Sequence, residues 1–165
     1  QGVPMGDSLY EKDYLEKANE ILRIAKSRGV EVPLPVDVRV ADEFSIDAKA
    51  QVLTVSELQG VGMIMDIGPQ TEQLYTAYLQ SAATIIWNGP VGVFEFPAFS
   101  EGTRAIAAAV AQSDAFSIAG GGDTLAALDL FSVTGQVSYV STGGGAFLEF
   151  LEGKSLPAVS VLIND

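Results

Sequence analysis

The spacing of apolar residues predicts an amphipathic helix in the N-terminal part of the chain. Apolar positions recur every three or four residues, which is typical of one face of a helix. Charged residues occupy the opposite face, and Gly29 follows where a helix commonly ends. The apolar face consists of Tyr14, Leu15, Ala18, Ile21, Leu22 and Ala25.

Beyond Gly29 the pattern changes to strands, and then to alternating helices and strands. Residues 36–40 alternate between apolar and polar side chains, which is typical of a strand. Further strands are predicted over 51–55, 62–67, 84–87, 115–119 and 137–140, with helices over 70–81 and 100–112. Strands that are apolar throughout and alternate with helices favour a parallel sheet covered on both faces. The predicted fold class is therefore α/β.

Two glycine trios lie in equivalent positions, each between a predicted strand and a helix-like run. The first, 120–122, is followed by Asp123 and Thr124, and the second, 143–145, follows Thr142. This order directs backbone N–H groups and the positive end of a helix dipole at an anion. A tight turn explains one such run about as well, but two favour a site for a polyphosphate or a phosphoryl group in transit. Ligands on parallel sheets bind at the carboxyl ends of the strands, and we expect both trios, together with residues 88–90, at that edge.

The glycine motifs match neither of two common nucleotide-binding sequences, and the roles of the side chains near them remain open. No Gly-Lys-Ser/Thr follows either trio, and neither matches the dinucleotide fingerprint. Asp123 is either a helix cap or a ligand of magnesium or its water. Asn88 opens a loop with two glycines and a proline. Glu95 lies in the apolar stretch 91–96 of that loop, where an unpaired carboxylate is costly, so we expect a partner such as a ribose hydroxyl or a backbone N–H.

Composition narrows the class of protein. The 165 residues, 48% apolar, suffice for one domain with a hydrophobic core, and the net charge of −12 argues against nucleic acid or membrane partners. There is no cysteine or histidine, so a bound metal should be a hard ion with oxygen ligands, most naturally Mg²⁺. We expect a cytoplasmic protein, since no leader or membrane span is evident. The start at Gln1 suggests truncation.

The positions of the cations leave the predicted site without side-chain counter-charge. None of the nine Lys and Arg residues lies in either glycine unit or in the Asn88 loop. Phosphoryl transfer is normally assisted by Arg, Lys and a metal. Arg39 is an internal candidate for this charge, and a missing segment is a stronger one.

Several segments together resemble the phosphoglycerate kinase family. They are 84–95, 120–124 and 141–146, with further matches at 34–38 and 66–69. The resemblance covers essentially the whole chain, in order and with similar spacing. It implies a three-layer Rossmann-like domain with a mainly parallel sheet, lacking its first strands. Residues 1–165 would form most of the C-terminal nucleotide-binding domain, with the N-terminal domain absent.

The resemblance also implies a reaction and a set of ligands. The family is a phosphotransferase with a carboxyl group as acceptor, which exchanges a phosphoryl group between 1,3-bisphosphoglycerate and ADP with Mg²⁺ as cofactor. Asp123 matches the magnesium-linked aspartate, Glu95 the ribose-binding carboxylate and Asn88 the asparagine near the phosphates. The segment that holds the nucleotide phosphates corresponds to Gly121, Gly122, Asp123 and Thr124.

Two backbone groups correspond to catalytic positions of the family. The N–H groups near Gly122 and Gly145 match those that stabilise the moving phosphoryl group. The implied mechanism is direct in-line transfer without a covalent enzyme intermediate.

Some parts of the family's enzymes have no counterpart in this chain. Three interpretations of its function therefore remain. The family's N-terminal domain supplies the 3-phosphoglycerate site and a catalytic arginine, and the full-length enzyme is expected to be a monomer. The parent is then a kinase, while the chain itself either binds Mg-ADP or Mg-ATP without turnover or binds nothing. Loss of the first strands should also expose a sheet edge or an apolar face.

Overall fold

The computed structural model describes residues 2–163. It separates into two compact units, each containing its own three-stranded sheet. Among the described residues, the first unit comprises 2–76 and 91–102, and the second comprises 77–90 and 103–163.

The first unit combines helix α1 with an antiparallel sheet. Helix α1 covers Leu15–Ser27 and ends before Gly29, as its apolar spacing predicts. The strands are β1 (Asp37–Ala41), β2 (Gln51–Thr54) and β3 (Met63–Ile67), in the spatial order β2-β1-β3. All three were expected from the sequence, but their antiparallel pairing was not.

Two small apolar clusters form the core of the first unit. Val38 and Val40 of β1 pack with Leu58 in one of them. Phe99 and Met65 pack with Ala41 and Ala48 in the other. Phe99 is fully buried, so this cluster holds the segment around Phe99 close to β3.

The second unit is built on a parallel sheet in the order β4-β5-β6. The predicted α/β class and its parallel sheet are thereby confirmed. Helix α2 (Pro69–Ser81) leads into this unit, and α3 begins directly after Ser100. The elements of this part are β4 (Thr84–Asn88), α3 (Glu101–Gln112), β5 (Phe116–Gly120), α4 (Gly122–Leu130), β6 (Tyr139–Ser141), α5 (Gly145–Leu151) and α6 (Pro157–Ile163).

The two faces of the parallel sheet differ in burial. Ile85, Trp87 and Ala119 are buried on one face. On the other face Ile86 is 48% exposed and Tyr139 is 58% exposed. One face of this sheet therefore carries partly exposed apolar side chains.

The helices are short. The longest that the structure describes, α1 and α2, contain 13 residues each. Within residues 2–163 no helix combines the length and the apolar character needed to cross a membrane.

Candidate functional site

The carboxyl ends of the three parallel strands lie side by side. Asn88 is the register partner of Gly120, and Gly120 is the partner of Ser141. The chain leaves β5 directly into the first glycine loop and leaves β6 directly into the second. The prediction that both trios lie at one edge of the sheet is confirmed, because neighbouring strands deliver them there.

The first glycine loop leads into helix α4, whose first backbone N–H groups have no acceptor in the described chain. The amides of Gly122, Asp123 and Thr124 belong to the first turn, which has no intrahelical acceptor. No oxygen in the described part of the chain accepts a hydrogen bond from these three amides. Gly122 and Asp123 are exposed. The positive end of the helix is therefore available to an anion.

The side chain of Thr124 fixes this loop to the end of β4. Its buried Oγ1 accepts a hydrogen bond from the Gly89 amide at 2.6 Å. The indole of Trp87 donates to the Gly89 carbonyl at 2.8 Å. Thr124 was expected among the phosphate-binding residues, and its hydroxyl accepts from the neighbouring loop while its own amide has no described acceptor.

Asn88 and Gly121 meet where β4 and β5 end. A Cβ added at Gly121 would lie 2.8 Å from Asn88 Oδ1. Gly121 also has a φ of +94°, which side chains rarely adopt. Glycine is therefore required here for both conformation and space, and the exposed Asn88 amide lies against the first loop.

More backbone amides of the second glycine loop already have acceptors within the protein than in the first. Gly143 donates to Ser141 Oγ at 3.3 Å. The amides of Ala146 and Phe147 donate to the carbonyls of Gly143 and Gly144 at 3.1 and 3.2 Å. Among residues 2–163, no oxygen accepts from the Gly145 amide, which begins α5.

The ring of Phe147 holds α5 against the sheet. A Cβ at Gly120 would lie 2.7 Å from Phe147 Cδ1. The absence of a side chain at Gly120 therefore lets the ring approach the end of β5. This contact keeps the start of α5 beside the first glycine loop.

Glu95 belongs to the first unit, unlike the other predicted site residues. It is exposed in a turn that precedes a short 3₁₀ helix, Pro97–Phe99. Of the two partners expected for Glu95, a backbone N–H is not found among the described residues, and a ribose hydroxyl remains a prediction. No described residue donates a hydrogen bond to it, so the carboxylate is accessible to a ligand.

Arg39 does not supply the counter-charge for a phosphate. Its Nη1 lies 3.3 Å from Asp66 Oδ2 and 2.5 Å from Glu72 Oε1, and it also donates to the Ile67 carbonyl. Its side chain is only 12% exposed. Asp66 is its register partner on β3 and binds it inside the first unit.

The residues present fit a magnesium ion only in part. In the described chain, no group of three or more Asp, Glu, His or Cys could hold a metal ion. Asp123 offers a single exposed carboxylate next to the open amides of α4. Mg²⁺ usually retains several waters and binds one or two carboxylates together with substrate phosphates. Such a site would thus need a bound phosphate to complete it.

Two buried aspartates that sequence reasoning did not single out occupy helix N-termini in the first unit. Asp37 accepts from the Gln70 and Thr71 amides at 2.9 and 2.8 Å and from Thr71 Oγ1 at 2.7 Å. Burial opposes ionisation, but the hydrogen bonds from Gln70 and Thr71 and the charge of Arg39 outweigh it and lower the pKa of Asp37.

Asp66 plays the corresponding part for α3. It accepts from the Gly102 amide at 2.8 Å and from the Ile67 amide at 2.9 Å. Burial raises the pKa of Asp66 to about 6, although these hydrogen bonds and Arg39 act in the opposite direction. A carboxylate in the apolar strand MIMDI is a signal that could have identified it.

Comparisons with known proteins agree on one family. The family model described as phosphoglycerate kinase matches residues 1–154. The chain is 57% identical over 162 residues to phosphoglycerate kinase of Francisella tularensis, covering 98% of this chain and 41% of the relative. It superimposes on phosphoglycerate kinase of Coxiella burnetii with a TM-score of 0.94 at 56% identity, covering 98% of this chain and 42% of that one. For the Pyrococcus horikoshii enzyme the TM-score is 0.77 at 36% identity, covering 91% and 36%. The chain thus spans about two fifths of the length of the curated relatives it matches.

Proposed function

Because this chain belongs to the phosphoglycerate kinase family, we propose that it forms most of the nucleotide-binding domain of such a kinase. The complete protein would transfer a phosphoryl group reversibly between 1,3-bisphosphoglycerate and ADP, giving 3-phosphoglycerate and ATP in glycolysis. We propose a cytoplasmic location and a monomeric complete enzyme on the same family basis.

One observation carries the nucleotide part of this proposal. Neighbouring parallel strands, in register at Asn88, Gly120 and Ser141, deliver two glycine loops to one edge. Three consecutive amides at the start of α4, from Gly122 to Thr124, have no acceptor among the described residues. A row of open amides at a helix start suits the phosphate tail of ADP or ATP.

The roles at the first loop follow from these positions. The amides of Gly122, Asp123 and Thr124 would bind phosphate oxygens, and Gly121 would let the backbone approach them closely. Asn88 Nδ2 would donate to the same phosphates. The exposed Asp123 carboxylate would hold Mg²⁺, which neutralises phosphate charge when it is bound.

The remaining roles concern the ribose and the transferred group. The exposed carboxylate of Glu95 would accept hydrogen bonds from ribose hydroxyls. The open amides of Gly122 and Gly145 would stabilise negative charge on the phosphoryl group in transit. Positioning and charge stabilisation suffice for an in-line transfer, so no covalent enzyme intermediate is needed.

The distribution of cations favours a second reading for the chain as given, in which Mg-nucleotide binds without turnover. No Lys or Arg lies in the glycine loops, and Arg39 is held by Asp66 and Glu72. Phosphoryl transfer needs more positive charge than backbone amides and one metal provide. We propose that the N-terminal domain of the complete enzyme supplies this charge together with the 3-phosphoglycerate site.

Two measurements on the 165-residue chain test the proposal. Calorimetry with Mg-ADP should give a binding isotherm that Asp123→Ala weakens. A steady-state assay with 3-phosphoglycerate and Mg-ATP should give no turnover. Binding without turnover supports the proposed division of labour, and turnover that survives Asp123→Ala contradicts the site assignment. The absence of both heat and a thermal shift with Mg-ADP would favour the third reading, a chain that binds no nucleotide.

A further inference from the structure

The exposed Glu95 stands on a segment that is anchored at both ends. We call residues 91–102 the Glu95 loop; together with residues 2–76 they form the described part of the first unit. Near its start, the Val93 amide donates to the Met65 carbonyl of β3 at 2.9 Å. At its end, the Gly102 amide donates to Asp66 Oδ2 at 2.8 Å. Both anchors lie on neighbouring residues of β3.

Apolar packing holds the middle of the loop. Phe99 is fully buried in the cluster with Met65, and Val93 and Phe96 pack against the same cluster. The Phe96 ring lies 5.0 Å from that of Phe44, centroid to centroid. Glu95 is therefore an exposed residue between Phe94, which is buried, and Phe96, which is partly buried, so its position depends on how the loop packs on β3.

The Asp66 carboxylate fills the space between the two ends of the loop. A Cβ added at Gly92 or at Gly102 would lie 2.2 Å from Asp66 Oδ1 in both cases. The loop backbone thus approaches the carboxylate from two sides. Asp66 is fully buried, so no water competes for these contacts.

We propose that Asp66 is a positioning residue that fixes the Glu95 loop so that the Glu95 carboxylate meets the ribose hydroxyls of the nucleotide. This rests on the proposed function of Glu95. Asp66 itself touches no ligand in this account. It acts through the Gly102 amide and the Gly92 backbone.

A carboxylate is needed at this position because both of its oxygens accept. Oδ1 accepts from the Ile67 amide, and Oδ2 accepts from Gly102 and from Arg39 Nη1. An asparagine would direct its NH₂ group at one of these donors, leaving that donor unpaired. Glu72 binds the same Arg39 but forms no described hydrogen bond with the loop, which makes it a suitable control.

The binding test compares Mg-ADP with Mg-2′,3′-dideoxy-ADP, which lacks the ribose hydroxyls. By calorimetry the unaltered chain should bind the dideoxy nucleotide about tenfold more weakly, as expected for hydrogen bonds to a carboxylate. Glu95→Gln and Asp66→Asn should each bring the ratio of the two dissociation constants close to one. Glu72→Gln should preserve the ratio, since it leaves the loop contacts intact. A merely structural role for Asp66 would weaken both nucleotides equally and would not change the ratio.

The structural test needs no nucleotide. Amide hydrogen exchange should accelerate within residues 91–102 in Asp66→Asn, relative to the rest of the first unit, and remain unchanged there in Glu72→Gln. Gly92→Ala provides a second variant should Asp66→Asn fold poorly, because its Cβ would lie 2.2 Å from Asp66 Oδ1 and 2.7 Å from the Phe99 carbonyl oxygen and would force the loop and the carboxylate apart. It should accelerate exchange in the same residues and reduce the nucleotide ratio.

The outcomes separate this inference from the function on which it rests. The role of Asp66 alone is overturned if the preference for Mg-ADP over the dideoxy nucleotide is lost in Glu95→Gln but is intact in both Asp66→Asn and Gly92→Ala. Discrimination that is intact in Glu95→Gln overturns the ribose role, and the inference with it. Failure of the unaltered chain to bind Mg-ADP counts against the proposed function. Unchanged amide exchange in residues 91–102 of both Asp66→Asn and Gly92→Ala overturns the proposal that Asp66 fixes the Glu95 loop.

Discussion

The two units differ in whether the first amides of their helices donate hydrogen bonds to an aspartate of the protein. In the first unit, the opening amides of α2 donate to the buried Asp37, and an opening amide of α3 donates to the buried Asp66. In the second unit, α4 follows a glycine loop, and its first amides have no acceptor among the described residues. The same orphan donors thus stabilise the fold in one region and remain available in the other.

The difference arises in the strands rather than in the helices. β1 and β3 each carry an aspartate that reaches the start of a helix; Arg39 forms an ion pair with Asp66, and its charge also helps to lower the pKa of Asp37. At the equivalent edge of the parallel sheet the strands end in Gly120 and Ser141, which offer no carboxylate. A helix start therefore becomes a candidate anion site only where the fold provides no internal anion for it.

The largest expected change in stability results from removing the buried carboxylate of Asp37. Asp37→Asn should lower the free energy of unfolding by about 4 kcal/mol, because an amide cannot accept from all of its buried donors and leaves one unpaired. Urea denaturation followed by circular dichroism measures this. The exposed Asp47→Asn is the control and should change stability by less than about 0.5 kcal/mol. A small effect at Asp37 would mean that its hydrogen bonds are not what holds α2.

The free energy of unfolding should depend on pH through the buried carboxyl group of Asp66. Its pKa is raised from 3.8 to about 6, so the folded state retains this proton where the unfolded chain has lost it. Its contribution is complete below about pH 4 and is lost as the pH rises through about 6. At about 1.4 kcal/mol per pH unit this amounts to about 3 kcal/mol. The stability of the unaltered chain minus that of Asp66→Asn should therefore fall between pH 4 and pH 6, and parallel curves would contradict the assignment.

A pair of glycine variants separates structural from functional glycines in the first loop. Gly121→Ala should lower the free energy of unfolding by about 2 kcal/mol, because of its positive φ and the proximity of Asn88 Oδ1. Gly122→Ala should change it by less than about 0.5 kcal/mol, since a Cβ there meets no atom within 4 Å. It should nevertheless weaken Mg-ADP binding, because the Cβ would obstruct close approach of a phosphate. Equal stability of the two variants would contradict this distinction.

The sequence predicted the elements well because periodicity and glycine positions are local signals. Strands over 36–40, 62–67 and 84–87 were all found within one residue at each end. The antiparallel pairing of the first three strands was not predictable from those signals, since strand direction depends on contacts between distant residues. The glycine loops were predicted at one edge because parallel topology places successive strand ends together.

The side chains show where local reasoning fails. Glu95 and Asp66 both lie in apolar stretches, and the same argument about a costly carboxylate applies to each. Asp66 is buried and finds its partners within the chain, whereas a turn exposes Glu95 and leaves its predicted ribose partner as a prediction. Arg39 was a candidate for phosphate charge, and its partners are Asp66, which lies opposite it on β3, and Glu72 of α2. Burial and pairing across the sheet decide these roles, and neither can be derived from neighbours in the chain.

The most direct test of the central contrast is to follow individual backbone amides by ¹⁵N-resolved NMR while Mg-ADP is added. The account predicts concentration-dependent shifts of the Gly122, Asp123 and Thr124 amides, with those of Gln70 and Thr71 unchanged because Asp37 already holds them. Amides at 122–124 that remain unmoved at saturating Mg-ADP, or that move no more than those at 70 and 71, would contradict it.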